Sequence, residues 1–223
     1  MRLRPVGEDS LLIDLDTPEE AQAWYARILS RRDAGTLMPV RDIVPGDRTV
    51  LLYGVAVADA AAQLQQWSVP PSAADSGPLI EIPVHYDGAD LRVVAALWGV
   101  TEDEVARIHS GREHRVAFCG FSPGFAYMLG LGERYHVPRR AAPRTSVPAG
   151  SVALAGPYTG VYPRASPGGW QLIGTTRMPL WDLEREPAAL LTPGTRVRFV
   201  PQEASLESTR ATTMGTATKG RKA

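Results

Sequence analysis

The sequence predicts an α+β protein: a small N-terminal α+β unit, then a turn-rich β domain of the barrel or sandwich kind. Three observations predict it. The first 70 of the 223 residues contain two strand-like apolar runs, each followed by a run with helical spacing. Residues 69–78, VPPSAADSGP, break that texture with the composition of a linker. Residues 118–174 then hold ten of the 21 glycines and seven of the 19 prolines. Short strands between such dense turn signals fit a barrel or sandwich better than a parallel sheet.

The elements follow in order. SLLIDL reads as a strand. Asp16-Thr17-Pro18-Glu19-Glu20 starts a helix, because Pro18 suits the first turn and the acids face the positive end of the helix dipole. Ala21, Trp24, Tyr25, Ile28 and Leu29 continue it at helical spacing. IVPGDRTVLLYGV turns at Pro45-Gly46-Asp47 and becomes a second strand, and DAAAQLQQW is a second helix. Residues 1–70 are thus expected to form a βαβα unit. The second domain is expected over residues 79–203. LIEIPVHY alternates as a strand does. Asp90 is placed to cap LRVVAALWG, which ends at Gly99. Thr101 and Glu104 make a capping-box pattern before VARIHSG. GSVALAG and WQLIGTT are short strands, and TPGTRVRFVP is the last. Residues 204–223, rich in Ser, Thr, Ala, Gly and Lys, are expected to be a disordered and functionally quiet tail.

Charge and composition exclude several functions. Lys+Arg and Asp+Glu are both 24, so no basic excess marks a nucleic-acid binder. No apolar run approaches the roughly 20 residues of a membrane span. The N-terminus lacks a signal core, which gives the cytoplasm as the expected location. Cys119 is the single cysteine, so an intramolecular disulfide and a multi-cysteine metal site are both excluded. It is read as a small buried side chain, with a catalytic thiolate as the lesser reading. The four histidines lack metal-ligand spacing, and the chain holds no phosphate-binding loop of the Walker or dinucleotide type.

What remains is a set of polar groups on stiff turns. VPRRAAPR places Arg139 and Arg144 each directly after a proline, where two guanidinium groups can clamp a carboxylate or phosphate or make structural salt bridges. VPAGS brings Ser151 to a strand start. TGVYP offers Thr159 and Tyr162, and SPGGW offers Ser166, Gly168, Gly169 and Trp170. His109 lies in the last turn of a short helix, where it is either a C-terminal cap or a general acid or base. FCGFSPGFAYMLGL, residues 118–131, holds three of the four phenylalanines; Phe118 and Phe121 are assigned to the barrel wall, and Phe125 or Tyr127 to a cleft.

Taken together, FCGFSPGFAYMLGL, VPRRAAPRTSVPAGSVALAG, YTGVYPRASPGGWQLIGTT and PLWDLEREPAALLTPGTRVRF resemble the family known as allophanate hydrolase subunit 1, 5-oxoprolinase B subunit or KipI. The resemblance implies a small α+β domain followed by a cyclophilin-like β-barrel, and a histidine at the place of His109. It implies one component of an ATP-dependent 5-oxoprolinase that converts 5-oxoproline (pyroglutamate) to glutamate only with its partners. These would be the 5-oxoprolinase C subunit, like allophanate hydrolase subunit 2, and the LamB/YcsF-like A subunit. The alternatives it leaves are an inhibitor of a sporulation histidine kinase and the carboxyltransferase half of a biotin-dependent urea carboxylase. The chain shows no ATP motif of its own, as suits one part of a split active site.

Overall fold

A computed structural model describes residues 1–70 and 77–202. The expected linker falls partly, and the expected tail wholly, outside the described residues. The N-terminal unit is ββαββα: β1 (Arg2–Pro5), β2 (Ser10–Asp14), α1 (Pro18–Asp33), β3 (Asp42–Pro45), β4 (Thr49–Tyr53) and α2 (Val57–Gln65). Its sheet is antiparallel throughout, in the order β1-β2-β4-β3. SLLID and TVLLY are the inner strands, as their apolar runs require. The expected pair of strands is doubled because β1 and β3 are four-residue edge strands, too short to carry a strand pattern. Thr17 caps α1 by accepting from Glu20 N at 3.1 Å. Leu11, Ile13, Trp24, Ile28, Val50 and Leu52 form the core beneath α1 and α2.

The rest of the described chain is built on β5 (Leu79–Val84), α3 (Leu91–Trp98), α4 (Glu102–Ser110), β6 (Glu113–Cys119), β7 (Ala126–Leu129), β8 (Arg144–Val147), β9 (Ser151–Ala155), β10 (Tyr158–Val161), β11 (Ser166–Gly168), β12 (Gln171–Thr175) and β13 (Arg196–Pro201). Seven strands make one curled sheet in the order β12-β9-β10-β7-β6-β13-β5. Only the β13–β5 pair is parallel. The two outer strands meet where His85 and Thr175 exchange backbone hydrogen bonds of 2.9 and 2.8 Å, which closes the curl into a barrel. The short pair β8–β11 lies apart from this sheet.

The helices terminate as expected. Gly99 ends α3 in the left-handed conformation, and Thr101 and Glu104 form the reciprocal capping box of α4. Asp90 is the exception. It occupies the position before α3, but its carboxylate makes no capping hydrogen bond there.

Strand β9 is buried at all five residues, because both of its faces are covered. Val152 and Leu154 point into the barrel, with Met128, Val161 and Ile173. Ala153 and Ala155 point outward into a second cluster with Phe125, Val147, Tyr162 and Trp170. The sheet wall is therefore packed on both faces.

Candidate functional site

The outer cluster forms the floor of a cleft of about 490 Å³. Alternation along β7 and β10 builds it. Ala126 and Met128 face the barrel interior while Phe125 and Tyr127 face out. Tyr158, Gly160 and Tyr162 share the outer face of the β10 line, whereas Thr159 and Val161 turn inward. A Cβ at Gly160 would sit 2.9 Å from both Phe125 and Trp170 ring atoms, so glycine there lets the two rings meet over the strand. Their ring centroids are 5.4 Å apart and nearly perpendicular, a favourable edge-to-face contact. Tyr127 adds a further contact to Trp170 at 5.5 Å.

One cation lines this aromatic surface. Arg139 is exposed, and it makes no ion pair among the described residues. Its neighbours are fixed on both sides. Gln171 Nε2 donates to Pro138 O at 3.1 Å, and Arg140 N donates to Gly169 O at 2.8 Å. Arg140 Nη1 and Arg144 Nη2 each donate to Asp90 Oδ1 at 2.8 Å, and Leu172 N donates to Asp90 Oδ2 at 2.8 Å. Burial pushes the Asp90 carboxyl up, but these donors outweigh it and hold the group below the usual carboxylate range. Asp90 therefore serves as the internal anion of this segment, which is why it does not cap α3. Burial raises the phenols of Tyr127 and Tyr162 against the opposing charge of Arg139, so both stay protonated at neutral pH.

His109 lies on the other side of the wall. Its ring is fully buried in the barrel, 4.5 Å from Phe199 and 4.7 Å from His114 between centroids. Nδ1 is 2.7 Å from Tyr86 Oη and Nε2 is 3.3 Å from Thr159 Oγ1. Burial, reinforced by His114, depresses its pKa well below the usual histidine value, so the ring is neutral. The helix C-terminus does not rescue the charge, because desolvation dominates in a dry interior.

The model of the carboxyltransferase domain, subdomain C and D, matches residues 1–191. The chain belongs to this family. It is similar to the 5-oxoprolinase B subunit of Escherichia coli O157:H7, with 45% identity over 89% of this chain and 94% of that protein. The 5-oxoprolinase B subunit of Haemophilus influenzae (strain ATCC 51907 / DSM 11121 / KW20 / Rd) is 35% identical over 90% of this chain and 97% of that one. Among solved structures, that of TTHA0988 superposes with a TM-score of 0.71 at 32% identity over 92% of this chain. The chain spans about two fifths of the length of TTHA0988, 41%.

Within this carboxyltransferase C and D chain, the sequence-derived candidates separate into groups. Arg139, Tyr162, Gly168 and Trp170 line the cleft, with Phe125 and Tyr127. Gly169 lies beside it, 3.8 Å from Arg139 Nε measured from where its Cβ would stand. Arg144 is held by Asp90. Ser151 is buried and donates to Pro148 O at 2.8 Å. Thr159 and His109 are inside the barrel. Ser166 Oγ is buried without a hydrogen-bond partner among the described residues. Phe118 is half-buried in the wall, stacked on Tyr127 at 4.4 Å. Phe121 corrects the expectation: it is 61% exposed on a tight turn and lines the cleft mouth rather than filling the wall. Cys119 does too, since it is an exposed residue. Its Sγ donates to Leu191 O at 3.4 Å, and desolvation pushes the thiol up to about 11, so it is no thiolate at neutral pH. Tyr158 was missed as a lining residue, although its even spacing from Tyr162 signals a shared strand face.

Proposed function

We propose that this chain is the B subunit of a 5-oxoprolinase, which opens the lactam of 5-oxoproline to glutamate with ATP in an assembly with other subunits. The observation that carries the reading is the 45% identity to a 5-oxoprolinase B subunit over 89% of this chain and 94% of that protein. The cleft supports it. A small cyclic amide offers a flat apolar body to Phe125, Tyr127 and Trp170 and a carboxylate to Arg139, and the charge-assisted pair sets its orientation. Tyr162 and Gly168 shape the same wall, while Asp90, Arg140 and Arg144 keep Arg139 in place.

A triphosphate does not fit this cleft: among its described residues it offers a single cation and a face of aromatic rings. We assign ATP to another component, with the A and C subunits as the expected partners. Co-expression with those two, followed by an assay of glutamate release, tests the reading. Release should require both ATP and 5-oxoproline and should be absent with this chain alone. Turnover by the purified single chain, or none by the assembly, would overturn it.

A further inference from the structure

The cleft does not belong to the barrel alone. One of its lining residues, Tyr158, is tied to the N-terminal unit: its Oη donates to Asp47 Oδ1. The two residues are 111 positions apart in the chain, and local sequence assigns Asp47 only to a turn. That turn, Gly46-Asp47-Arg48, joins β3 to β4. It is firmly held. Gly46 N donates to Thr49 O at 2.7 Å, and Leu15 N donates to Arg48 O at 2.9 Å. Strand β4 is paired on both sides, by β2 and β3, and buries Val50 and Leu52 in the N-terminal core. A carboxylate carried on such an element offers an acceptor at a defined place.

Tyr158 passes that position on to the cleft floor. Its ring meets Phe118 and Tyr127 nearly at right angles, with centroids 5.5 and 5.6 Å away. Tyr127 in turn contacts Phe125 at 5.1 Å and Trp170 at 5.5 Å. Aromatic pairs hold preferred geometries, so a ring fixed at one end of such a series restricts the next. The series runs from Asp47 through Tyr158 and Tyr127 to the two rings that close over Gly160. Tyr158 is half-buried, so packing alone leaves the hydroxyl end of its ring free to shift. A hydrogen bond to a carboxylate, strengthened by the charge, removes that freedom. Burial, and after it the Asp47 carboxylate, push the Tyr158 phenol up, so the donor keeps its hydrogen at neutral pH.

We propose that Asp47 is a positioning residue for the cleft. By accepting from Tyr158 it sets the aromatic floor on which the substrate lies, and the N-terminal unit thereby contributes to substrate binding without touching the substrate. That the substrate is 5-oxoproline rests on the 5-oxoprolinase reading; the coupling of Asp47 to the floor stands on the contacts alone.

The test compares Asp47→Ala, Asp47→Asn, Tyr158→Phe and the Asp47→Ala/Tyr158→Phe double variant in the assembly with the A and C subunits. Asp47 is exposed, so its replacement leaves the fold in place. Asp47→Ala and Tyr158→Phe should each raise KM for 5-oxoproline about three- to tenfold, the scale of one hydrogen bond, with kcat near wild type. Asp47→Ala should add nothing in the Tyr158→Phe background, because the bond is already gone. Asp47→Asn, whose amide oxygen accepts in the same place, should restore most of the wild-type KM. A KM unchanged by Asp47→Ala, no rescue by Asp47→Asn, or an Asp47→Ala effect that persists in full without the Tyr158 hydroxyl would overturn the proposal. A second measurement needs no activity. In the fluorotyrosine-labelled chain, Asp47→Ala should shift the fluorine resonance of Tyr127, identified by its loss in Tyr127→Phe. The resonance of Tyr86, bonded to His109 inside the barrel, should stay in place. If the wild-type assembly releases no glutamate while Tyr127 shifts, the 5-oxoprolinase reading falls and the positioning role stands. If Tyr127 does not shift, the positioning role falls whatever the assembly does.

Discussion

Arg139 and Arg144 occupy equivalent places in the sequence, each following a proline, and opposite places in the energetics. Arg144 directs its charge to buried Asp90, whereas Arg139 faces the cleft between anchored neighbours. Substituting them should therefore separate function from stability. Arg139→Gln should lower kcat/KM of the assembled enzyme roughly 10- to 100-fold through KM, the scale of one lost hydrogen bond to a charged group, with no change in melting temperature. Asp90→Asn leaves two guanidinium groups without their counter-ion and should cost about 3–5 kcal/mol of stability. Denaturant titration of both variants beside their kinetics checks the pair. His109 belongs with Asp90 by location. His109→Asn should lower stability by about 1–3 kcal/mol through the lost contacts to Tyr86 and Thr159, while kcat stays near wild type. A large fall in kcat at unchanged stability would make the histidine a chemical participant.

At the scale of elements, β10 is the hinge between interior and exterior. Its residues alternate between the His109 network and the cleft floor, and Gly160 is the one position where two large rings close over it. Gly160→Ala should cost about 1–3 kcal/mol by overpacking, because both obstructing atoms belong to buried rings. The same change should raise KM, since displaced Phe125 and Trp170 reshape the floor. Thermal unfolding and steady-state kinetics on one preparation measure both effects. Alternation also explains which candidates came together. Thr159 and Tyr162 are three residues apart, an odd spacing, so a continuous strand line sends them to opposite faces. Capping, by contrast, could be read correctly at Gly99, Thr101 and Glu104, because each bond there spans only three or four residues. Asp90 departed from that local rule when three donors distant in sequence converged on it.

At the scale of the whole molecule, the barrel buries two neutral histidines, and this makes its stability depend on pH. Burial lowers His114 to about 4 and depresses His109 as well, against about 6.5 for each in the unfolded chain. The unfolded state then binds more protons below pH 6.5. The contribution is complete above that pH and is lost as pH falls toward 4, by about 3 kcal/mol for His114 alone. The unfolding free energy should thus fall between pH 6.5 and 4, and His114→Gln, which keeps a donor toward His109 O, should flatten the profile. A flat wild-type profile over that range would contradict the buried neutral pair.

The sequence by itself determined the α+β class, six of the thirteen described strands and several helix ends. Hydrophobic period, turn residues and caps are short-range properties, so they survive in a one-dimensional record. It also marked the stretch from 118 to 174, which supplies the cleft lining, and its long motifs identified the family. Only the tertiary structure decided which side of the wall each residue faces and which charge each arginine meets. Curling the sheet brought Asp90 to Arg140 and Arg144 across some fifty residues and sealed His109 in the interior. It left Arg139 beside the aromatic cleft and Phe121 on its rim. The physical reason is that burial and ion pairing are set by long-range neighbours, and a strand packed on both faces does not reveal in its sequence which face will be closed and which left open.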